Sequence, residues 1–183
     1  MNQNLRQFYN NWQTKVNSIN GDDLGSIYDR YITLFVIYNS LYNQVPTKLI
    51  SLNQFVPSRL YDNKMATEIV VQLLDHKNQL SFISNSQINN DVSSIIDLID
   101  REVFHIKLQN GKSQRNEDLK ILTDLRSNNI NKKSIAMLKI IYNVRCNIFH
   151  GSKDFQEYQR QLIEPLTNIL TIVISDLYNE LTN

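Results

Sequence analysis

The stretch from Leu24 to Val45 constrains the fold more than any other part of the chain, because it is apolar or aromatic on most sides of a helix. A helix that is apolar all round has to lie in the centre of a bundle, since each of its faces must be covered. One amide, Asn39, shares a face with four aromatic residues. We therefore expect Asn39 to be buried or to lie at an interface, where a polar group needs a partner. Pro46 follows directly and should stop this helix.

The rest of the chain carries the same helical periodicity and has few residues that break helices. Only 4 glycines and 3 prolines occur among 183 residues, which argues against a turn-rich β fold. Apolar spacing predicts further helices over 4–19, 64–76, 91–103, 117–127, 131–150 and 154–181, the last of them interrupted or restarted at Pro165. Irregular or polar connections are predicted over 47–63, which has room for one short helix, and over 77–90 and 109–116, with at most a short extended piece at 104–108. Because no repeat or linker divides the sequence, we predict one all-α domain over residues 1–183, a helical bundle of long antiparallel helices.

Several simple features bear on where such a protein works. Cys146 is the single cysteine, which excludes an intrachain disulfide and favours a reducing compartment, so we expect a cytoplasmic protein. The first residues have no apolar signal core. The apolar stretch 162–177 contains Glu164, Pro165 and Asp176 and is too polar and too short to span a bilayer, so no membrane partner is expected.

Charge is distributed unevenly along a chain whose net charge is only +1. Residues 101–160 carry 12 Lys and Arg against 6 Asp and Glu, whereas residues 1–100 carry 7 against 9. Such an excess either marks a surface that binds an anionic partner or is a solvated face with no partner. The distribution alone leaves both interpretations open.

The basic segment contains the strongest candidate for chemistry, in which Arg145, Asn147 and His150 lie within six residues at the end of a predicted helix. Arginine is a permanently charged, forked donor suited to phosphate, and histidine carries protons near neutral pH. On a regular helix Arg145 and His150 would project roughly 140° apart, at about 100° per residue. Convergence would therefore need a loosened helix end or a second copy of the protein. The alternative is a simple helix end, where basic residues stabilise the dipole and Gly151 follows the last turn.

The residues from Val144 to Gly151 resemble the signature of HEPN domains, in which an arginine and, four to six residues later, a histidine lie on a late helix of an all-α bundle. The aromatic, asparagine-containing stretch from Tyr28 to Tyr42 is similar to an early helix of such proteins. The resemblance covers the architecture of most of the chain, but it is specific over only about ten residues.

The resemblance implies a metal-independent endoribonuclease, often a toxin or defence effector, that dimerises so that two Arg–His pairs line one cleft. His150 would then act as general base on a ribose 2′-hydroxyl, or as acid on the leaving oxygen. Arg145 would hold the scissile phosphate, and Asn147 would orient His150 or bond to the phosphate. No cofactor is implied, and the wide separation of the three histidines predicts no metal site.

Two departures from the family pattern bear on activity and partners. Many nuclease members have a polar residue directly after the arginine, whereas this chain has Cys146 there. Members that a partner nucleotidyltransferase modifies carry a tyrosine where this chain has Ser152, so regulation of that kind is not expected; an antitoxin or another defence-system protein stays open as a partner. The family also contains modules that bind RNA, a nucleotide or a protein without cleaving, and this alternative stays open.

Three further residues are predicted to contact RNA. Lys139 and Lys153 flank the motif and could attract the phosphate backbone, although a solvated lysine is the alternative for either one. Asn39 either bonds to the Arg145–His150 site from the central helix or is a satisfied core amide.

Overall fold

The structure, a computed structural model, describes residues 3–76, 80, 83, 85–149 and 156–182. The helices are α1 (Gln3–Ser18), α2 (Leu24–Tyr42), α3 (Val45–Ser51), α4 (Asp62–Lys64), α5 (Val70–His76), α6 (Asn89–Asp100), α7 (Arg115–Leu125), α8 (Ile130–Phe149) and α9 (Arg160–Thr182). A π-helical stretch (Met65–Ile69) joins α4 to α5, and short 3-10 turns (Ser86–Ile88 and Glu157–Gln159) precede α6 and α9. The prediction of an all-α fold is confirmed.

Helix α2 lies in the centre of this bundle, as its apolar surface predicts. The helix begins where the Asp23 carboxylate accepts a hydrogen bond from the backbone N–H of Ser26 at 3.0 Å. Ten of its 19 residues are buried, and it packs most extensively against α9 and then against α1. Its buried tyrosines each direct the hydroxyl to a partner, as a buried phenol requires; the Tyr31 hydroxyl donates to the carbonyl of Ile141 at 2.7 Å.

Prolines lie in helices where the sequence predicted breaks. Pro46 occupies the first turn of α3, since α2 already ends at Tyr42 and the first turn of a helix leaves backbone N–H groups without intrahelical partners. Pro165 lies inside α9, close to its beginning, and the helix continues through it. A proline near a helix start removes few backbone bonds, so neither residue divides the bundle.

A small hairpin corrects the prediction of a loop over 109–116. Strands β1 (Leu108–Gln109) and β2 (Lys112–Ser113) pair antiparallel, with Leu108 opposite Ser113. Asn110 and Gly111 form the turn with φ of 51° and 73°, the positive values that a two-residue hairpin turn needs and that Asn-Gly supplies. The hairpin places the turn next to α8, beside the candidate site.

Buried tyrosines make the fold sensitive to alkali, which gives a first prediction. Burial raises the pKa of Tyr28 to about 12, and it raises the pKa values of the fully buried Tyr31 and Tyr38 well above their usual range. The contribution of these tyrosines to the free energy of unfolding is therefore fully present below about pH 10. It is lost as the pH rises further, because the unfolded chain releases phenolic protons that the folded chain keeps.

We expect the free energy of unfolding to fall by about 1.4 kcal/mol per pH unit for each such tyrosine above pH 10. Urea unfolding between about pH 9 and pH 11 measures this slope. Tyr38→Phe should flatten it, whereas Tyr61→Phe, which changes an exposed phenol, serves as the matched control. A slope that stays flat up to pH 11 would contradict the prediction.

Candidate functional site around Arg145

Arg145 lies on the last full turn of α8 and is held between two aromatic rings. Its guanidinium carbon is 4.4 Å from the ring centre of Phe149 and 5.2 Å from that of Phe35. One guanidinium nitrogen is 3.9 Å from Cys146 Sγ, and the buried Nε atom has no hydrogen-bond partner among the described residues. Stacking on aromatic faces fixes the plane of a guanidinium without using its N–H donors.

No carboxylate of the described residues lies within 4.0 Å of Arg145, a feature that it shares with Arg6, Arg30 and Arg59, whereas the other four arginines are paired. Arg160 contacts Glu157 and Glu164, and Arg126 contacts Asp100 at 2.8 Å. An unpaired, partly buried guanidinium leaves its positive charge available to an anionic ligand. This is the arrangement that phosphate binding by Arg145 needs.

A hydrogen-bond network, which we call the Asp62 network, connects α2 to α8 near Arg145. It consists of Asn39, Tyr42, Asp62 and Tyr142. Asp62 accepts from the hydroxyls of Tyr42 at 2.7 Å and of Tyr142 at 2.8 Å. The Tyr42 hydroxyl also contacts the side-chain amide of Asn39. The atom of Asn39 at this contact is its Oδ1, so the single phenolic proton of Tyr42 has two acceptors and serves one of them at a time, Asp62 or Asn39.

The network reaches the Arg145 region through Tyr142, which lies three residues before Arg145 on α8. Burial first, and then the hydrogen bond to Asp62, raise the pKa of the Tyr142 phenol above its usual range. The phenol therefore stays neutral and donates to Asp62. Asn39 itself is exposed, so the expectation of a buried amide is wrong; the expectations of a place at an interface or of a link to the site remain.

The side chain of Asn147 makes a structural hydrogen bond inside the protein. Its side chain is 8% exposed, and its Nδ2 atom donates to the carbonyl of Ile106 at 2.9 Å. The neighbouring backbone N–H groups of Ile106 and Lys107 donate to the buried carboxylate of Asp118 at 3.3 and 2.8 Å. Asn147 therefore helps to pin the segment before the hairpin against α8, and its predicted role towards phosphate or His150 stays a prediction.

The other predicted site residues divide into two groups. Lys139 lies on α8, partly exposed, on the wall of a surface cavity. His150 and Lys153 lie outside the described residues, so the predicted geometry of the Arg145–His150 pair stays a prediction as well.

Two cavities of about 380 Å³ each open beside α8, and we call them together the α8 groove. They share Lys107, Tyr142 and Asn143 as wall residues. One cavity extends to Lys139 and to residues of α4 and α7, and the other extends to Cys146 and to the hairpin turn. The groove therefore leads to the residue next to Arg145.

Charge in the α8 groove is mixed, since four lysines and the carboxylates of Glu68, Glu117 and Asp124 line one of its cavities; two of the lysines have no carboxylate partner among the described residues. Lys64 lies 4.0 Å from Glu68, and Lys120 lies 2.6 Å from Glu117. Lys107 and Lys139, by contrast, have no carboxylate of the described residues within 4.0 Å. Lys120 first, and Lys107 and Lys139 to a smaller extent, lower the pKa of the Glu117 carboxyl on the groove wall.

Three residues at this site were missed by reasoning from the sequence: Lys107, Asp62 and Tyr142. Helical spacing assigned Tyr142 to the core, and Asp62 lies in a stretch that was expected to be irregular. One signal was available for Tyr142: a tyrosine that helical spacing assigns to the core still needs a hydrogen-bond partner for its hydroxyl.

Two searches of the described part of the chain bear on the class of protein. No group of three or more His, Cys, Asp or Glu residues there is arranged to hold a metal ion. None of the helices in that part combines the length and the apolar character that a membrane span requires.

The chain matches no protein-family model, no curated protein and no solved structure. The fold and the site define an all-α bundle in which Arg145, without a carboxylate partner in the described part of the chain, lies beside a groove. The resemblance to HEPN domains stays a prediction from the residues of the stretch Val144 to Gly151.

Proposed function

We propose that this chain is a metal-independent endoribonuclease of the HEPN type, which acts as a toxin or defence effector. The observation that carries the proposal is the free guanidinium of Arg145, held between Phe35 and Phe149 with no carboxylate of the described residues within 4.0 Å. A fixed cation with free donors suits a phosphodiester whose charge grows in the transition state.

In the proposed reaction, His150 removes the proton of a ribose 2′-hydroxyl, and the oxygen attacks the adjacent phosphorus. The bond from phosphorus to the 5′-oxygen breaks, and that oxygen leaves as a hydroxyl after it takes up a proton. Arg145 stabilises the charge on the other phosphate oxygens. The products are a 2′,3′-cyclic phosphate and a 5′-hydroxyl end.

A homodimer is part of the proposal, since a second copy would bring two Arg–His pairs to one cleft. The ring of Phe149, which stacks on Arg145, is 56% exposed, and a partner copy could cover it. Light scattering on the purified chain measures whether the dimer forms. A strictly monomeric protein that cleaves RNA would contradict the shared cleft.

A second candidate is a non-catalytic HEPN-like module that binds RNA, a nucleotide or a protein partner. The side chains after Arg145 favour it, since Cys146 offers only a thiol and the Asn147 amide is buried against the Ile106 carbonyl. This candidate predicts binding without turnover, with an affinity that falls as salt rises if the ligand is RNA.

Incubation of the purified chain with diverse RNAs in EDTA separates the two candidates. The ribonuclease should produce fragments whose 5′-hydroxyl ends polynucleotide kinase labels directly. A parallel reaction with the His150→Ala variant excludes a contaminating nuclease. RNA that stays intact at high protein concentration would overturn the enzyme and leave the binding module.

A further inference from the structure

We propose that the α8 groove is a nucleotide subsite, in which a base of single-stranded RNA stacks on Tyr142 and its phosphates lie against Lys107 and Lys139. The choice of RNA as ligand rests on the proposed function. The subsite itself rests on the shape, the aromatic wall and the charge of the groove.

Tyr142 is suited to be a stacking platform because its ring is fixed. Its hydroxyl donates to Asp62 at 2.8 Å, and Asp62 is held in turn by the Tyr42 hydroxyl at 2.7 Å. The ring is only partly buried and forms a wall of both cavities. An ordered aromatic face loses little entropy when a base stacks on it, and it accepts every base because each has a π face.

The remaining walls supply the groups that an RNA backbone and base edges need. Lys107 and Lys139 have no carboxylate partner among the described residues, and the ammonium of Lys107 lies 3.5 Å from the side-chain oxygen of Asn143. Asn143 and Asn110 add amide donors and acceptors to the cavity beside the hairpin. Each cavity, at about 380 Å³, lies in the size range of small-ligand sites and suits a nucleotide.

The position of the groove connects it to the proposed reaction. Tyr142 and Arg145 are three residues apart on α8, so they are neighbours on the helix surface. Cys146 lines the cavity and contacts the Arg145 guanidinium at 3.9 Å. A strand that stacks on Tyr142 would thus continue to Arg145.

The test measures RNA binding separately from cleavage. The full chain with His150→Ala, which should not cleave, is titrated into a short fluorescein-labelled, uridine-rich single-stranded RNA, and anisotropy reports binding. Adding Tyr142→Ala should weaken binding by about tenfold, whereas Tyr142→Phe, which keeps the ring but loses the hydrogen bond to Asp62, should lie between Tyr142→Ala and the parent. Lys107→Gln should weaken binding and reduce the slope of log affinity against log salt by about one unit.

Matched controls are Tyr158→Ala and Lys15→Gln, which change a tyrosine and a lysine that line neither cavity of the groove. When the same RNA carries iodouridine and is photo-crosslinked to the protein, it should attach to the peptide that contains Tyr142. Because Lys107 is exposed, its substitution leaves the fold intact even if Tyr142→Ala destabilises it.

Two outcomes distinguish the subsite from the proposed function. Cleavage by the unmodified chain, with Tyr142→Ala and Lys107→Gln binding as tightly as the parent, would overturn the subsite and leave the ribonuclease. Binding that depends on Tyr142 and Lys107, in a chain that never cleaves, would support the subsite and overturn the ribonuclease. Crosslinks confined to peptides away from the groove would also overturn the subsite.

Discussion

Replacing Arg145 with alanine is expected to lower the rate of RNA cleavage by about 10²–10³-fold, the loss that follows removal of one group that stabilises transition-state charge. The reason is that Arg145 has no carboxylate partner among the residues that the structure describes, and its fork of N–H donors can bind two phosphate oxygens at once. His150→Ala should lower the cleavage rate by at least as much as Arg145→Ala does, since the 2′-hydroxyl then has no base.

The fold should survive the Arg145 substitution, so that the lost rate can be assigned to chemistry. Arg145 contributes stacking on Phe35 and Phe149, which is worth about 0.5–2 kcal/mol in total at partly exposed sites. Arg145→Lys keeps the charge but not the fork, so it should recover only part of the rate. The matched control is Arg101→Ala, which removes an exposed arginine paired with Asp97 and should cleave normally. Full cleavage by Arg145→Ala would contradict the proposed reaction.

Mixing the two inactive variants tests how the dimer builds its cleft. If each site takes Arg145 from one protomer and His150 from the other, a dimer of Arg145→Ala with His150→Ala retains one complete site. Refolding the two together should then restore about half of the activity per mixed dimer. Mixtures that remain inactive would mean that each site uses the arginine and histidine of one protomer.

Asp118→Ala is expected to lower the free energy of unfolding by about 3 kcal/mol, the largest stability effect that we expect from one polar side chain. The Asp118 side chain is fully buried on α7 and accepts from the backbone N–H groups of Ile106 and Lys107. Alanine would leave both donors without a partner, and a buried donor without a partner costs its whole desolvation free energy.

Urea unfolding measures this loss, which should appear as a lower midpoint with an unchanged slope. Asp118→Asn keeps one acceptor oxygen, so its unfolding midpoint should lie between those of Asp118→Ala and the unmodified chain. Glu117→Ala is the matched control, because Glu117 is the preceding residue but is exposed and paired only with Lys120, a contact worth less than about 1 kcal/mol. Equal midpoints for the alanine variants at 117 and 118 would contradict the structural role of Asp118.

Local sequence signals predicted the helices well where the helical period was strong and uninterrupted. The predicted helix 131–150 corresponds to Ile130–Phe149, and the predicted 4–19 corresponds to Gln3–Ser18. Boundaries were wrong around prolines: Pro46 lies in the first turn of α3, where the missing N–H costs little, and α9 continues through Pro165, its sixth residue. The Asn110–Gly111 hairpin was read as a polar loop, since two-residue strands carry no periodicity.

The sequence by itself determined the all-α class, the central place of α2 and the choice of Arg145 as the candidate residue. These depend on the spacing of apolar side chains and on the chemistry of single residues, both of which are local. The tertiary structure alone decided that Asp62 joins Tyr42 to Tyr142, that Asp118 holds the backbone at 106–107, and that Asn39 is exposed. A helical period shows which side chains face inward, but it cannot show which polar groups from distant segments meet there.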